Sequence, residues 1–324
     1  MNLKNKWLYL AGLMLGTMLG LSLPASGQSL PPQVQALYPP EAGEIVFVDV
    51  RALRSSPHYP QLKAQILPEK FQQLAVWTQV LGIDMENEVN QLSWAFLSAD
   101  GSRADGFIGV AEGAFVLAEA ERAARRQRLS VYRHGPHPVI SLGSNAQGQE
   151  FVFAFADSTL AVFGFRNEAL GMLDRRTQTG AREGSLRSVI GEVNGKAPVW
   201  MALDKKFAAL AVKQFLPEAS RVPGFENLAG RVQTAAFRFE LKRGLESSVS
   251  VRCANAQDSV WLTTLVQLAV SYQALRLNDT QPELSRLLGE LKLNTAGDRV
   301  DLALSIGESD LATLFKKNTF ALKF

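Results

Sequence analysis

The 324-residue sequence predicts an export segment followed by a soluble α+β protein of two related units, each a mainly antiparallel sheet with helices on one face. Three observations support this fold class. The chain starts with a basic and then apolar segment, strand-length apolar runs alternate with helix-length amphipathic stretches, and the order of these elements begins again near residue 196. With 47% hydrophobic and 20% charged residues, the composition is typical of folded protein.

The segment 1–27 has the three parts of a secretory signal peptide. Two lysines form a short basic start, and the stretch 7–23 is apolar and uncharged. Ala25 and Gly27 are the small residues that precede a cleavage site. We therefore expect a mature protein that begins at Gln28 and is periplasmic or secreted.

The same apolar segment also fits a retained membrane anchor. The stretch 7–23 is near the lower limit of length for a helix that spans a bilayer. Gly12, Gly16 and Gly20 have the four-residue spacing that lets membrane helices pack closely. In this alternative the body of the protein lies outside the cytoplasm and is held at the inner membrane.

The first unit, residues 44–180, follows a Pro-rich lead-in at 28–43 that we expect to be extended. Strand patterns occur at 44–50, 90–98, 107–111, near Val131, and at 139–142, 151–156 and 160–165. Helix patterns occur at 59–81, with an interruption at Pro68, and at 116–129 and 167–176. A turn that contains Asp105-Gly106 joins the second strand to the third.

The second unit, residues 196–324, follows a polar linker at 181–195. Its strand patterns are at 198–203, 232–242, 245–253 and 299–306, and its helix patterns are at 205–216, 259–277, 282–291 and 309–316. Both units begin with strand, helix, hairpin and helix. This order predicts a ferredoxin-like arrangement in each unit, with helices that cover one face of an antiparallel sheet.

Charge and cysteine content argue against several classes of function. Lys4 and Lys6 belong to the export segment, so the 34 basic residues of the whole chain become 32 against 31 acidic residues. This balance predicts no nucleic-acid partner. The single cysteine, Cys253, allows no intramolecular disulfide and no cysteine-based zinc site, and we expect an inert, mostly buried thiol.

The sequence contains no motif that specifies a cofactor, a metal or a catalytic group. It lacks the glycine triplet of dinucleotide sites, the G-x-S-x-G elbow and the H-E-x-x-H helix. His134 and His137 are close enough to share a metal, but no acidic or cysteine ligand stands beside them. A solvated turn explains the pair, and we expect no catalytic residue, cofactor or bound metal.

Four arginines are a first candidate for a partner surface. Arg122, Arg125, Arg126 and Arg128 lie at the end of the predicted helix 116–129. Acidic residues one turn earlier can pair with part of this cluster. The remaining charge suits either solvent or an anionic partner.

A second candidate lies on the predicted helix 259–277, where the whole stretch 260–275 carries no charge. At helical spacing, Trp261, Leu265 and Tyr272 fall on one apolar stripe. So wide an apolar arc predicts a helix that is buried on two sides. The alternative is a surface that contacts a partner protein.

The sequence resembles secreted bacterial two-repeat α+β proteins of unknown function, over residues 37–315. The resemblance lies in Tyr38-Pro39-Pro40-Glu41-Ala42, Val48-Asp49-Val50-Arg51-Ala52-Leu53 and Gly82-Ile83-Asp84. It implies a signal peptide, a Pro-rich lead-in and two divergent α+β halves. It assigns no catalytic residue.

These observations leave three hypotheses for function. The first is a non-enzymatic exported protein that binds or scaffolds a protein partner. The second is an accessory subunit of a membrane complex, anchored by an uncleaved N-terminal helix. The third is a hydrolase built from Asp, Glu and Ser residues that form no linear motif.

Overall fold

The structure, a computed structural model, describes residues 29–65, 76–97, 106–176, 184, 186–217, 219 and 222–317. It is an α+β protein with antiparallel strand pairing, which confirms the predicted fold class. Contacts within the chain define two compact units. Among the described residues, the N-terminal unit comprises residues from 29–54 and 76–187, and the C-terminal unit comprises residues from 55–65 and 188–317.

The strands of the N-terminal unit pair in the order β1-β2-β3-β7-β6-β5-β4, and each neighbouring pair is antiparallel. They are β1 (Ala42–Asp49), β2 (Val89–Leu97), β3 (Phe107–Gly113), β4 (Val131–His134), β5 (His137–Ser144), β6 (Glu150–Phe155) and β7 (Leu160–Phe165). Strands β4 to β7 form a meander that returns to β3.

The helices of the N-terminal unit include one in the Pro-rich lead-in. They are α1 (Pro32–Gln35), α2 (Val50–Arg54), α4 (76–80), α5 (Leu117–Arg126) and α6 (Arg166–Arg176). The expectation of an extended lead-in at 28–43 is therefore wrong for α1. Pro32 suits the first turn of a helix, and the three- and four-residue spacing of Leu30, Val34 and Leu37 buries all three side chains.

The core of the N-terminal unit is aromatic, and two glycines permit its close packing. Phe153 and Phe163 are buried and stack with their ring centroids 6.2 Å apart. Gly109 lies opposite Phe163, where a Cβ atom would lie 2.1 Å from the ring. Gly164 has φ +144°, and a Cβ atom there would lie 2.3 Å from the carbonyl oxygen of Phe107. Strands β3 and β7 can pair so closely because these positions lack side chains.

The turn between β6 and β7 is stabilised by one carboxylate. Asp157 Oδ1 accepts hydrogen bonds from the backbone N and Oγ1 of Thr159, both at 2.7 Å, and Asp157 Oδ2 accepts one from Arg176. Partial burial alone would raise the pKa of Asp157, but these hydrogen bonds and the Arg176 charge outweigh it and hold the pKa below its usual value.

We expect Asp157→Ala to lower the free energy of unfolding by about 1 kcal/mol at pH 7, a value reduced for partial solvent exposure. A lowered folded-state pKa stabilises the protein above the unfolded-state pKa and loses that effect as the pH falls through the folded-state pKa. Urea unfolding at pH 7 and pH 3 should therefore show a smaller difference between variant and wild type at pH 3. An equal difference at both pH values would contradict this role.

The strands of the C-terminal unit pair in the order β8-β9-β10-β12-β11, again antiparallel throughout. They are β8 (Val199–Leu203), β9 (Val232–Leu241), β10 (Leu245–Cys253), β11 (Lys292–Ala296) and β12 (Arg299–Ile306). Its helices are α3 (Tyr59–Gln65), α7 (Arg187–Val193, whose first residue belongs to the other unit), α8 (Lys205–Phe215), α9 (Phe225–Gly230), α10 (Ala256–Leu277), α11 (Pro282–Gly289) and α12 (Glu308–Lys316).

The two units connect their first three strands and pair their last strand in the same way, but this is not the ferredoxin-like order. The first strand of each unit pairs antiparallel with the first strand of the hairpin, as Val46 with Trp94 and Met201 with Phe237 show. The last strand of each unit then pairs with the second strand of the hairpin. A ferredoxin-like unit would instead join parallel strands through its first helix. The sequence order of elements does not distinguish these topologies, because a helix can connect either kind of pair.

Residues 55–65 belong to the C-terminal unit, although in the sequence they stand inside the stretch assigned to the first unit. Ser56 Oγ donates a hydrogen bond to the carbonyl oxygen of Lys242 at 3.1 Å. His58 Nε2 lies 3.1 Å from the carbonyl oxygen of Arg243, and its ring stacks on Phe315 with centroids 5.9 Å apart. These contacts hold the start of α3 at the turn between β9 and β10.

Candidate interaction surface

Helix α10 is held in the C-terminal unit by polar contacts at its N-terminus and along one side. Its N-terminus is capped by Asn255, whose Oδ1 accepts a hydrogen bond from the backbone N of Asp258 at 3.0 Å. Ser259 Oγ donates to the carbonyl oxygen of Gly297 at 2.7 Å. Thr263 Oγ1 lies 2.6 Å from Thr295 Oγ1 of β11. Polar contacts to the β11–β12 hairpin thus fix the rotation of the helix about its axis.

The opposite side of α10 exposes five large apolar side chains, which we call the apolar stripe. Its members, with their exposed fractions, are Val260 (51%), Trp261 (45%), Leu268 (63%), Tyr272 (51%) and Leu275 (76%). The described residues contain nine exposed large hydrophobic side chains, so more than half of them lie on this one helix. An apolar patch of this kind on a soluble protein typically marks an interaction site.

The prediction that this helix is buried on two sides is wrong. Leu262 and Leu265 are buried, whereas Trp261 and Tyr272 of the same predicted stripe are exposed. Leu265 is offset from Trp261 by about 40° around the helix axis, and it turns towards the buried side. α10 contacts α9, α11 and strands β10 to β12, and the side chains on its outer arc remain exposed among the described residues. The alternative, a surface that contacts a partner protein, stays a prediction.

The part of α10 that carries the apolar stripe is nearly free of charge. Residues 260–275 contain no ionisable group except the phenol of Tyr272. At the C-terminal end, the Arg276 guanidinium carbon lies 5.8 Å from the centroid of the Tyr272 ring. At the N-terminal end, Arg231 Nε lies 3.0 Å from Asp258 Oδ2. A partner can therefore cover the stripe without desolvating an unpaired charge.

The predicted arginine cluster lies in the N-terminal unit, whereas the apolar stripe lies in the C-terminal unit. Arg122, Arg125, Arg126 and Arg128 are all exposed. The carboxylate of Glu121 lies 3.9 Å from Arg125 Nη2. Glu121 also accepts a hydrogen bond of 3.0 Å from Arg133, a fifth arginine that the sequence pattern did not include. This pairing absorbs part of the positive charge, as expected from the helical spacing.

The two neighbouring histidines face each other across the β4–β5 hairpin. His134 pairs with His137 in the strand register. His134 Nε2 lies 2.7 Å from Asp174 Oδ1 of α6. Within the described part of the chain, no group of three or more His, Cys, Asp or Glu residues is placed to hold a metal ion. The absence of a bound metal stays a prediction.

The residues that carry the sequence resemblance have structural roles in the N-terminal unit. The buried Tyr38 hydroxyl donates to Ser93 Oγ at 2.7 Å, and burial raises the pKa of Tyr38. Asp49 Oδ1 accepts from the backbone N of Ala52 at 2.9 Å, which caps α2. Asp84 Oδ1 accepts from the backbone N of Glu86 at 2.8 Å.

A row of polar residues crosses strands β1 to β3 and bears on the hydrolase hypothesis. Asp49, Gln91 and Glu112 are direct neighbours in the strand register. Burial raises the pKa of Glu112, whereas Asp49 already caps α2. Glycoside hydrolysis uses a pair of carboxylates with divided acid and base roles, and the hydrolase hypothesis stays a prediction.

Some predictions fall outside the described residues. These are the cleavage site at Gly27 and Gln28, the apolar segment 7–23, and Asp105 of the predicted hairpin turn. Within the described ranges, none of the helices has the length and apolar character needed to cross a bilayer.

Cys253 is buried, with 2% of its surface exposed. Burial, and then the nearby carboxylates of Asp258 and Asp298, raise the pKa of Cys253 to about 11. The thiolate is the reactive form of cysteine. We therefore expect alkylation of the folded protein by iodoacetamide at pH 8 to be at least ~100-fold slower than alkylation in guanidinium chloride. Complete labelling of the folded protein at the unfolded rate would contradict this expectation.

Comparisons with known proteins include a distant structural similarity. No protein-family model and no curated protein sequence matches the chain, so the resemblance to secreted two-repeat proteins has no support from a family or a sequence relative. Among solved structures, the chain is similar to one titled "Structure of crystal form I of TP0453". The TM-score is 0.47 with 10% identity, over 92% of this chain and 99% of that chain. A similarity of this size carries no argument about function.

Proposed function

We propose that this chain is an exported, non-enzymatic binding protein that contacts a protein partner through the apolar stripe of α10. The concentration of exposed apolar side chains on one uncharged helix face carries the proposal. Tryptophan and tyrosine are enriched among the residues that dominate binding energy at protein interfaces. Trp261 and Tyr272 are on this face, and the polar contacts of Ser259 and Thr263 hold the helix rigidly beneath them.

The first test uses a photo-crosslinking amino acid at position 268 of the chain produced in its native host. We expect a discrete adduct with a protein that mass spectrometry identifies. A crosslinker at the exposed Lys205 of α8 should give no such adduct. The purified partner should then bind the Leu275→Glu variant at least ~10-fold more weakly than wild type, because the change introduces a charge that the partner would have to desolvate.

Two results would contradict the proposal. One is the same adduct from positions 268 and 205, which would indicate non-specific capture. The other is an unchanged affinity for Leu275→Glu. Circular dichroism and thermal unfolding of Leu275→Glu should match wild type, since Leu275 is mostly exposed.

Export rests on the sequence of the segment 1–27. The intact mass of the native protein should correspond to a chain that starts at Gln28 or within a few residues of it. Recovery of an intact N-terminus in the membrane fraction would instead favour the accessory-subunit alternative. That alternative is motivated by Gly12, Gly16 and Gly20, which would face a partner helix.

A further inference from the structure

We infer that the partner of the apolar stripe is a second copy of this chain, and that the two copies pair through α10 as antiparallel helices. The inference rests on the proposed function, because it takes the stripe to be a protein-binding surface. It goes further by naming the occupant and the direction of packing.

The spacing of the stripe is self-complementary. Trp261, Leu268 and Leu275 are seven residues apart, as at one core position of a coiled coil. Thr264 and Ser271 follow Trp261 and Leu268 by three residues each. They are the smaller side chains at the second core position. In antiparallel packing, the first position of one helix faces the second position of the other. Leu268 then packs against Ser271 of the second copy, and Leu275 packs against Thr264.

This large-against-small pairing lets the two helices approach closely without any change to the buried side of α10. Side chains of unequal size interdigitate at both ends of the contact, and the twofold symmetry repeats every contact. The same surface on each copy supplies both the projecting leucines and the spaces that receive them. No other sequence is needed to complete the interface.

Charge at the helix ends favours the antiparallel direction. A parallel pair would place the two Arg276 side chains, and the two Asp279 side chains, at the same end of the pair, whereas residues 260–275 contribute no charge. An antiparallel pair moves the exposed Asp279 to the end where Arg231 of the second copy lies beside Asp258. The opposed helix dipoles also favour this direction.

The area of the stripe fits a dimer of moderate affinity. Five side chains exposed to this extent present on the order of 500 Å² of mostly apolar surface. A standard protein interface buries about 800 Å² on each partner. Thr264, Gln267 and Ser271, which lie on the same arc, supply much of the difference. We therefore expect a dissociation constant on the order of 10 μM.

The composition of α10 favours this occupant over an anionic membrane. Helices that lie on such membranes carry several Lys or Arg residues on their polar face. Between Ala256 and Leu277, Arg276 is the single basic residue. A lipid surface would thus gain little electrostatic attraction from this helix.

Sedimentation velocity of the mature protein from 1 to 100 μM tests the inference. We expect a reversible monomer–dimer equilibrium for wild type. Leu268→Glu should weaken association at least ~10-fold, because each copy then places a carboxylate at the centre of the interface. The matched control is Leu210→Glu, a charge at an exposed leucine on α8 of the same unit, which should leave the equilibrium unchanged. Thermal unfolding of both variants should remain close to wild type.

A charge-pair variant tests the direction of packing. Combining Leu268→Glu with Ser271→Lys places each new carboxylate opposite the new ammonium of the other copy if the helices are antiparallel. We expect the dimer to be restored at low salt and weakened again at high salt. Failure of the double variant to recover association would overturn the antiparallel arrangement.

Other outcomes separate this inference from the proposed function. A wild-type protein that stays monomeric at 100 μM, or a dimer that Leu268→Glu leaves intact, overturns the second copy as occupant. If position 268 still captures a different protein and Leu275→Glu still weakens that complex, the proposed function stands without the inference. Binding to vesicles of phosphatidylcholine and phosphatidylserine that Leu268→Glu abolishes, with no dimer present, would replace the second copy by a lipid surface.

Discussion

Gly164→Ala is expected to lower the free energy of unfolding by about 3–5 kcal/mol, among the largest effects of any single methyl group in this chain. Gly164 has φ +144°, a conformation that other residues rarely adopt. The added Cβ would also lie 2.3 Å from the carbonyl oxygen of Phe107 and 2.9 Å from the Cα of Ile108. Both are backbone atoms of the paired strand β3, so neither can move without disturbing the sheet.

Gly143→Ala provides a matched control. Gly143 also has a positive φ, +106°, but a Cβ atom there would meet nothing within 4 Å. Alanine at this position therefore experiences only the backbone strain, about 1–2 kcal/mol. Urea unfolding of the two variants measures the difference, which reports the contact with β3. If both variants were equally destabilised, backbone conformation alone would explain Gly164.

Trp200→Ala is expected to destabilise the protein by about 3–5 kcal/mol, because it removes a completely buried aromatic side chain and leaves a cavity. Trp200 lies on β8, pairs with Arg238 of β9 in the strand register, and has 0% of its surface exposed. The loss should appear as a lower urea midpoint with an unchanged slope of the transition.

The second tryptophan of the C-terminal unit serves as the control for the first. Trp261→Ala removes a side chain that is 45% exposed and should cost less than about 1 kcal/mol. Trp261→Ala should also weaken dimer formation and partner binding. Trp200→Ala should affect these interactions only by unfolding the protein. A Trp261→Ala variant as unstable as Trp200→Ala would mean that Trp261 belongs to the core and not to an interface.

Most strands could be predicted because their apolar side chains alternate or form continuous runs. The bounds 245–253 of β10, 160–165 of β7 and 299–306 of β12 agree with the sequence prediction to the residue. In β10, Val249 and Val251 are buried and Ser250 between them is more exposed, so the sequence pattern shows which face of the strand is buried. Where the apolar pattern is this regular, the local sequence is sufficient to predict the bounds of a strand.

Short elements at the edge of the fold could not be predicted in the same way. Strand β11 (Lys292–Ala296) has a single large apolar residue, Leu293, and apart from Thr295 its other residues are weak strand formers. It forms because β12 offers a free edge next to a turn in which Gly297 has φ +59°. Helix α1 was missed because its prolines suggested an extended chain.

The sequence was sufficient to locate the candidate site on α10, but it did not predict which of its side chains are exposed to solvent. The uncharged run 260–275 marks α10 as unusual, and its helical spacing is enough to place Trp261 and Tyr272 on a candidate partner surface. Whether a wide apolar arc is covered depends on distant elements. Leu265 is buried because its side of α10 contacts the rest of the unit, a tertiary contact that periodicity does not contain.

The path of the chain through α3 restricts how the protein can be divided. A cut after residue 187 would leave Ser56 and His58 on one fragment and their contacts at Lys242, Arg243 and Phe315 on the other. A C-terminal fragment produced alone would therefore lack part of its own packing, and simple truncation would misrepresent its stability. The two pieces are better regarded as complementary fragments, suited to a split-protein format. In that format, α3 of the first fragment must bind to the second fragment to complete its packing.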